Sequence, residues 1–210
     1  TMMFNARECR PRPHLDDKII TAWNGLMIAA FARGSRVLER AEWLTRAVGA
    51  AEFLRDRMWR LPDRTLFRRF RDGEVAVAGF AEDYACAVWG ALELVAAGAS
   101  GEWLDWAVTL QHRQDELFRD DEGGGWFSTG GHDSSILLRL TEDYDGAEPS
   151  ASSIGVANLL ALARLTRDAT WRVRAEGTLA ACADRMTSMS RSMPLMLANL
   201  SAYHGGSQRG

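Results

Sequence analysis

Lysine is almost absent from this 210-residue sequence. Lys18 is the only lysine and arginine supplies the other positive charges, which we interpret as a composition bias of the genome rather than a phosphate-binding feature. The net charge is −3, so there is no basic surplus to attract a polyanion. This balance argues against nucleic acid or an anionic membrane as the main partner.

Cysteine and histidine are also scarce. The three cysteines, Cys9, Cys86 and Cys182, form neither a CxxC pair nor an even-numbered framework. This pattern indicates a reducing compartment, and we predict a cytoplasmic protein. No two of the four histidines have metal-ligand spacing, so we predict no metal and no cofactor. His132 is interpreted as a surface loop residue, with an acid/base role as the alternative.

Long apolar runs are missing as well. No stretch reaches about 18 apolar residues, and no basic segment followed by an apolar one opens the chain. The sequence therefore predicts neither a membrane span nor a secretion signal. Its length predicts one domain, residues 1–204, followed by a disordered tail, residues 205–210.

What the sequence does contain is a repeated helical pattern. Segments that are apolar on nearly all sides occupy residues 17–39, 80–98 and 150–166, and residues 194–203 resemble a fourth. The first three are each followed by a tight turn and an amphipathic helix, at residues 42–59, 101–118 and 168–187. Tight turns make antiparallel neighbours, so we call the apolar helices inner and the amphipathic helices outer.

Long segments lead from each outer helix to the next inner one. Residues 60–79 contain two strand-like runs around Asp72-Gly73, which predicts a β-hairpin, and residues 119–149 predict a second one. The predicted fold class is all-α. It is an incomplete (α/α) six-hairpin toroid of about three and a half helical hairpins, with two β-hairpin loops at the mouth.

Polar and aromatic residues gather where the inner helices begin. Carboxylates there suit acid/base chemistry, and aromatic faces suit stacking against a sugar. The predicted catalytic residues are Asp17 and Asp83, with Asp143 and Asp145 as weaker carboxylate candidates; the predicted ligand-binding residues are Trp23, Asn24, Tyr84, Trp126, Asp145 and Ser150. The alternative is that these carboxylates and hydroxyls only cap their helices.

Several short motifs occur in order along the chain. They are Arg10-Pro11, Asp16-Asp17-Lys18, Trp23-Asn24-Gly25-Leu26-Met27, Glu82-Asp83-Tyr84-Ala85, Gly124-Gly125-Trp126-Phe127, Asp145-Gly146-Ala147-Glu148-Pro149-Ser150 and Met193-Pro194-Leu195-Met196-Leu197. Together they resemble the YyaL-type thioredoxin-domain proteins, which include the spermatogenesis-associated protein 20 class.

This resemblance implies a longer protein, in which a thioredoxin-like domain precedes a six-hairpin barrel. The barrel is similar to N-acylglucosamine 2-epimerases and six-hairpin glycosidases, and this chain corresponds to a later portion of it. The implied partners are the missing barrel hairpins and the thioredoxin-like domain. One motif departs from the family, which tends to read Pro-Ser-Gly-Asn-Ser where this chain has Pro149-Ser150-Ala151-Ser152-Ser153. The departure removes one amide from the mouth.

Three functions stay open at this level. The first is a cavity for a small sugar-like ligand, in an epimerase- or glycosidase-like protein that modifies sugars. The second is a non-catalytic scaffold or client-binding module that accompanies the thioredoxin-like domain. The third is a fragment without a function of its own. We favour the first for the parent protein and leave open whether this chain is an enzyme.

Overall fold

Antiparallel helix pairs make up most of the computed structural model, which describes residues 2–131 and 136–206. In chain order the elements are α1 (Met2–Glu8), β1 (Ile19–Ile20), α2 (Thr21–Val37), α3 (Ala41–Phe53), β2 (Trp59–Arg60), β3 (Thr65–Arg71), β4 (Glu74–Ala78), α4 (Ala81–Ala96), α5 (Glu102–Phe118), α6 (Ala151–Thr166), α7 (Ala169–Ala181), α8 (Ala183–Ser188) and α9 (Pro194–Gly206). A π-helical turn, Leu54–Met58, extends α3, and a 3-10 turn, Ser190–Ser192, precedes α9.

The alternation of inner and outer helices is confirmed. The pairs α2/α3, α4/α5 and α6/α7 are joined by short turns, and α9 packs against α6 as a further inner helix. The third outer segment is divided in two, because α7 ends at Ala181 and α8 begins at Ala183. None of the helices in the described ranges is long and apolar enough to cross a membrane.

The inner helices differ in how completely they are covered. The α4 side chains from Ala81 to Leu94 are buried except Glu82 and Trp89, since the helix packs against α2, α5 and α6. By contrast, α2 buries one face only, and Trp23 and Met27 on its other face are 57% and 55% exposed. The apolar surface predicted all around the first inner helix is therefore half uncovered in this chain.

A small antiparallel sheet fills the first long connection. Its central strand is β3, which pairs with β1, β2 and β4. The pairing of Arg71 with Glu74 leaves Asp72 and Gly73 as a two-residue turn, and both have positive φ, 52° and 84°. Such a turn matches the twist of the flanking strands, so the first predicted hairpin is confirmed.

The second long connection differs from its prediction. Its described residues form two isolated bridges, Arg119 with Trp126 and Phe127 with Thr141, instead of a strand ladder. The Arg139 guanidinium, which donates to the carbonyls of Thr129 and Leu117, fixes the loop through side-chain contacts. Side-chain hydrogen bonds of this kind replace the backbone pairing that a hairpin would have.

Two boundaries also differ. The first inner helix begins at Thr21, not at residue 17, because Ile19 and Ile20 extend to pair with Phe70 and Arg69 of β3. At the other end α9 runs to Gly206. Residues 207–210 lie outside the described ranges, and the disordered tail stays a prediction.

Candidate ligand-binding site at the mouth

The inner helices α4 and α6 begin beside the second long connection, and a cavity of about 200 Å³ lies between these three elements. We call it the mouth cavity. The residues that line it are Phe80, Glu82, Ser128, Thr129, Glu142 and Ala151. The loop is tied to the helix by a hydrogen bond from the Ala81 N–H to the Ser128 carbonyl, 3.1 Å long. The cavity thus offers two carboxylates, two hydroxyls and one aromatic ring.

Directly beneath the cavity lies the buried carboxylate of Asp83. It accepts hydrogen bonds from the Ala22 N–H (3.0 Å), the Phe80 N–H (2.9 Å) and the Arg68 guanidinium (3.0 Å). Burial raises the pKa of Asp83 to about 6, against the lowering effect of the Phe80 N–H and Arg68. Asp83 therefore joins the first turns of α2 and α4, and all three of its contacts are made within the protein.

Arg68 connects this buried carboxylate to the cavity wall. Its guanidinium pairs with Glu82 as well as Asp83 and stacks over the Phe80 ring, 4.9 Å from the ring centroid. Its own pKa is raised: burial lowers it, and the carboxylates of Asp83 and Glu82 more than offset that effect. The arrangement fixes one face of Phe80 and one side of Glu82, and leaves Glu82 half-buried at the cavity.

Asp17 lies apart from Asp83. It belongs to the loop before β1 and forms an ion pair with Arg71, 2.8 Å from the Arg71 Nε atom. Its side chain is 45% exposed. The two predicted catalytic carboxylates are thus on different surfaces of the sheet and helix assembly, one paired near solvent and one enclosed.

Of the predicted aromatic residues, Trp23 alone has an exposed face. Its indole nitrogen donates to Glu148 across the chain, at 2.8 Å. The neighbouring Asn24 donates to the Ile20 carbonyl in its own helix, at 2.8 Å. Trp23 therefore connects the first inner helix to the loop before α6, while the amide nitrogen of Asn24 is used locally.

Tyr84 and Trp126 lie in the core. The Tyr84 hydroxyl accepts from the Leu66 N–H at 2.9 Å, and the Trp126 indole donates to Asp115 at 2.9 Å. Their relative exposures are 1% and 0%. A Cβ at Gly155 would come within 2.4 Å of the Trp126 ring, so a glycine at this point of α6 makes the room for the indole.

Asp145 and Ser150 organise helix ends. One Asp145 oxygen accepts from the Ser150 N–H (3.0 Å), and the other accepts from the Leu195 N–H (2.8 Å) and the Met196 N–H (3.3 Å). Ser150 is the N-cap of α6 and accepts from the Ser153 N–H at 3.1 Å. Both residues satisfy N–H groups that a helix start leaves unpaired. Asp143, nearby, pairs with Arg185.

The cavity carboxylates Glu82 and Glu142 were not among the candidates chosen from the sequence. Helix phase could have separated Glu82 from Asp83, because Asp83 is the third residue of α4 and reaches back to the Phe80 N–H, as capping residues do. Its predecessor then points elsewhere. For Glu142 the sequence carries no such signal, since its position depends on how the long connection folds over α4.

In the described ranges, no group of three or more His, Cys, Asp or Glu side chains is arranged to hold a metal ion. His132, the loop histidine considered from the sequence, lies outside the described residues.

Comparison with solved structures gives the class of the fold, a six-hairpin (α/α) toroid. Cellobiose 2-epimerase from Bacillus thermoamylovorans superimposes with a TM-score of 0.66 at 15% identity, over 80% of this chain and 45% of that one. An inactive variant of the alpha-1,6-mannanase of Salegentibacter, in complex with alpha-1,6-mannotriose, gives a TM-score of 0.63 at 14% identity, over 78% and 46% of the two chains. The predicted fold class is confirmed.

Sequence comparison gives the particular relatives. Spermatogenesis-associated protein 20 of Rattus norvegicus is 39% identical over 209 residues, which are 95% of this chain and 26% of that protein. The human protein of the same name is 38% identical over 95% of this chain. No family model matches the sequence. The predicted resemblance to this class is confirmed, and the chain spans about a quarter of the length of these relatives.

Proposed function

We propose that the mouth cavity binds a carbohydrate-type ligand, as part of a six-hairpin protein that modifies sugars. One observation carries the proposal: Glu82, Glu142, Ser128 and Thr129 surround a small cavity that also contains the Phe80 ring. Carboxylates accept hydrogen bonds from sugar hydroxyls, and serine and threonine hydroxyls can donate or accept. An aromatic edge covers the C–H surface of a sugar ring, as mostly apolar pockets with a few placed polar groups do.

Within this proposal Glu82 is the residue that touches the ligand, and Asp83 is a positioning residue. Asp83 fixes Arg68 by an ion pair, and Arg68 in turn fixes Glu82. A carboxyl group with a pKa near 6 also suits proton exchange near neutral pH, which is what the predicted acid/base role of Asp83 requires. That role, and the one predicted for Asp17, remain proposals for the longer protein.

The sugar-bound state of a solved neighbour supports the ligand class. The Salegentibacter mannanase holds alpha-1,6-mannotriose, and the Bacillus enzyme is a cellobiose 2-epimerase. Both have the toroid to which this chain is similar, although their low identities carry only the fold. The ligand class therefore rests on the cavity lining, with the neighbours as support.

A scaffold function is the second candidate, and the hydrogen bonds of Asp83 and Asp145 favour it. Each carboxylate accepts from N–H groups at the starts of two inner helices. Carboxylates used in this way stabilise the ring and need no substrate. In this reading the helices present a surface to the missing hairpins and to a thioredoxin-like domain.

Thermal unfolding of the chain with a panel of mono- and disaccharides distinguishes the two functions. At a sugar concentration of about 100 times Kd, binding adds about 2.7 kcal/mol, which raises Tm by roughly 5–10 °C for a chain of this size. We expect this shift for the wild type and for Glu52→Gln, an exposed change on α3, and its loss in Glu82→Gln. An equal shift in Glu82→Gln would place the ligand elsewhere. No shift with any sugar would favour the scaffold.

A further inference from the structure

A second and larger cavity lies between the inner helices, below the mouth. Its volume is about 470 Å³, and it is bounded by the second half of α4, by α6 from Ala157 to Leu165, and by α9. We call it the inner-helix cavity. None of its lining residues lines the mouth cavity. It therefore needs an explanation of its own.

Asn158 brings an unpartnered buried atom to this cavity. The residue is 1% exposed, and its side-chain nitrogen donates to the Ala85 carbonyl at 2.9 Å. That carbonyl can only accept, so the amide orientation is fixed with the nitrogen toward α4. The Oδ1 atom is then left buried with no hydrogen-bond partner. A buried acceptor without a donor is costly, which indicates that a donor occupies the cavity when a ligand is bound.

Two more acceptors line the same space. Asn199 of α9 donates its side-chain nitrogen to the Ser153 carbonyl at 2.7 Å, which turns its oxygen to the other side of the amide. Glu93 of α4 pairs with Arg33, and its Oε2 atom is buried without a hydrogen bond, 3.7 Å from Arg36. Three helices thus each present one oxygen that can accept.

The other lining groups limit what the donor can be. Arg33 and Arg36 already neutralise Glu93, so the cavity has no negative charge left to hold an ammonium group. Trp89 and Leu160 supply apolar surface. Arg164, at the exposed edge, has no ion pair or hydrogen bond among the described residues. Uncharged donors are required inside, and an acceptor with negative charge suits the edge.

We propose that the inner-helix cavity binds a small polyhydroxylated anion, of the chemical class of sugar acids. Its hydroxyl groups donate to Asn158, Asn199 and Glu93, its C–H surface lies against Trp89, and its anionic group pairs with Arg164. Hydrogen bonds to a charged guanidinium are among the stronger ones, so Arg164 selects the acid over the neutral sugar. This site is separate from the mouth cavity and does not depend on the function proposed for it.

Isothermal titration calorimetry of the chain with gluconate, glucose and inorganic phosphate tests the proposal. We expect gluconate to bind, and glucose and phosphate each to bind at least about tenfold more weakly, because each lacks one half of the recognition. Arg164→Gln should weaken gluconate binding roughly tenfold. The matched control Arg191→Gln changes an exposed arginine outside the cavity and should leave the affinity unchanged.

A second variant tests the location. Ala161 lines the cavity, and Ala161→Phe fills it without removing any of the three acceptors. Gluconate binding should be lost in Ala161→Phe while the circular dichroism spectrum is retained. The proposal is overturned if gluconate does not bind the wild type, if it binds Ala161→Phe as well as the wild type, or if glucose or phosphate binds equally well. An unchanged affinity in Arg164→Gln overturns the anionic part.

Discussion

At the residue scale, Asp83 shows how one side chain can serve both folding and a site. Its carboxylate is fully buried and holds the starts of α2 and α4 together through the Ala22 and Phe80 N–H groups. The same burial raises its pKa to about 6 from an ordinary value of 3.8, which means that the folded protein favours the protonated form. Ionisation of Asp83 therefore lowers the stability of the fold.

The free energy of unfolding should carry this signature. A folded pKa above the unfolded one contributes stability that is complete below the unfolded pKa and is lost as the pH rises through the folded pKa. For Asp83 the full loss is about 3 kcal/mol, of which about 2 kcal/mol falls between pH 4.5 and pH 7. Urea unfolding of the wild type and Asp83→Asn at both pH values measures this as a difference.

Asp83→Asn should be less stable at both pH values, because its amide nitrogen would face an N–H or guanidinium donor. The gap between the two proteins should be about 2 kcal/mol smaller at pH 7 than at pH 4.5. Parallel pH curves would show that Asp83 does not titrate in this range. The subtraction removes the contribution of the other carboxylates, such as Asp63, whose pKa is lowered to about 2 by Arg60.

At the scale of the elements, the contact between α2 and α4 depends on two glycines. A Cβ on Gly25 would lie 2.5 Å from the carbonyl carbon and oxygen of Cys86, and a Cβ on Gly90 would lie 3.0 Å from the Gly25 carbonyl. The obstacles at Gly25 are backbone atoms in the middle of a buried helix and cannot move aside. The motif around Trp23-Asn24-Gly25 thus includes a requirement of helix packing, apart from any ligand.

Gly25→Ala should separate these helices and cost about 3 kcal/mol or more of unfolding free energy, since overpacking of a tight core is destabilising. The matched change Gly49→Ala, in α3, meets no atom within 4 Å. It should stabilise the protein by about 0.5–1 kcal/mol, because alanine favours the helix. Thermal unfolding of both variants checks the opposite signs; a neutral Gly25→Ala would contradict the close approach.

The elements were largely predictable because their signals are local. Apolar and polar periodicity predicted the inner and outer helices, and the Asp72-Gly73 pair predicted the first hairpin. The second hairpin was wrong because residues 136–140, although apolar and strand-like, are held by Arg139 and by loop contacts. A strand needs a partner in register, and strand-like residues alone do not show whether one is present.

For the whole molecule, the last inner helix is attached through one carboxylate. Asp145 accepts from Ser150 at the start of α6 and from Leu195 and Met196 in the first turn of α9. A negative charge at two helix N-termini also favours both helix dipoles. Since α9 packs on α6 and α7, this contact determines how far the ring continues beyond the third hairpin.

Asp145→Ala should cost about 2 kcal/mol, the sum of two lost helix caps, and should lower the hydrogen-exchange protection of α9 more than that of α4. Asp168→Ala is the matched control: Asp168 caps α7 alone, by accepting from the Thr170 N–H. It should cost about 1 kcal/mol and leave α9 protected. Equal loss of protection in α4 and α9 would mean that α9 is not a separately attached unit.

The sequence alone determined the number of hairpins, their inner and outer helices, and the end at which long connections meet, because periodicity and turn length are local properties. The tertiary structure decided which side chains reach a cavity. Neighbours on a helix point about 100° apart, so packing against α2 and β3 buries Asp83 and leaves Glu82 at the mouth. Glu142 and Asn158 reach their cavities through contacts between segments distant in sequence, which no local pattern contains.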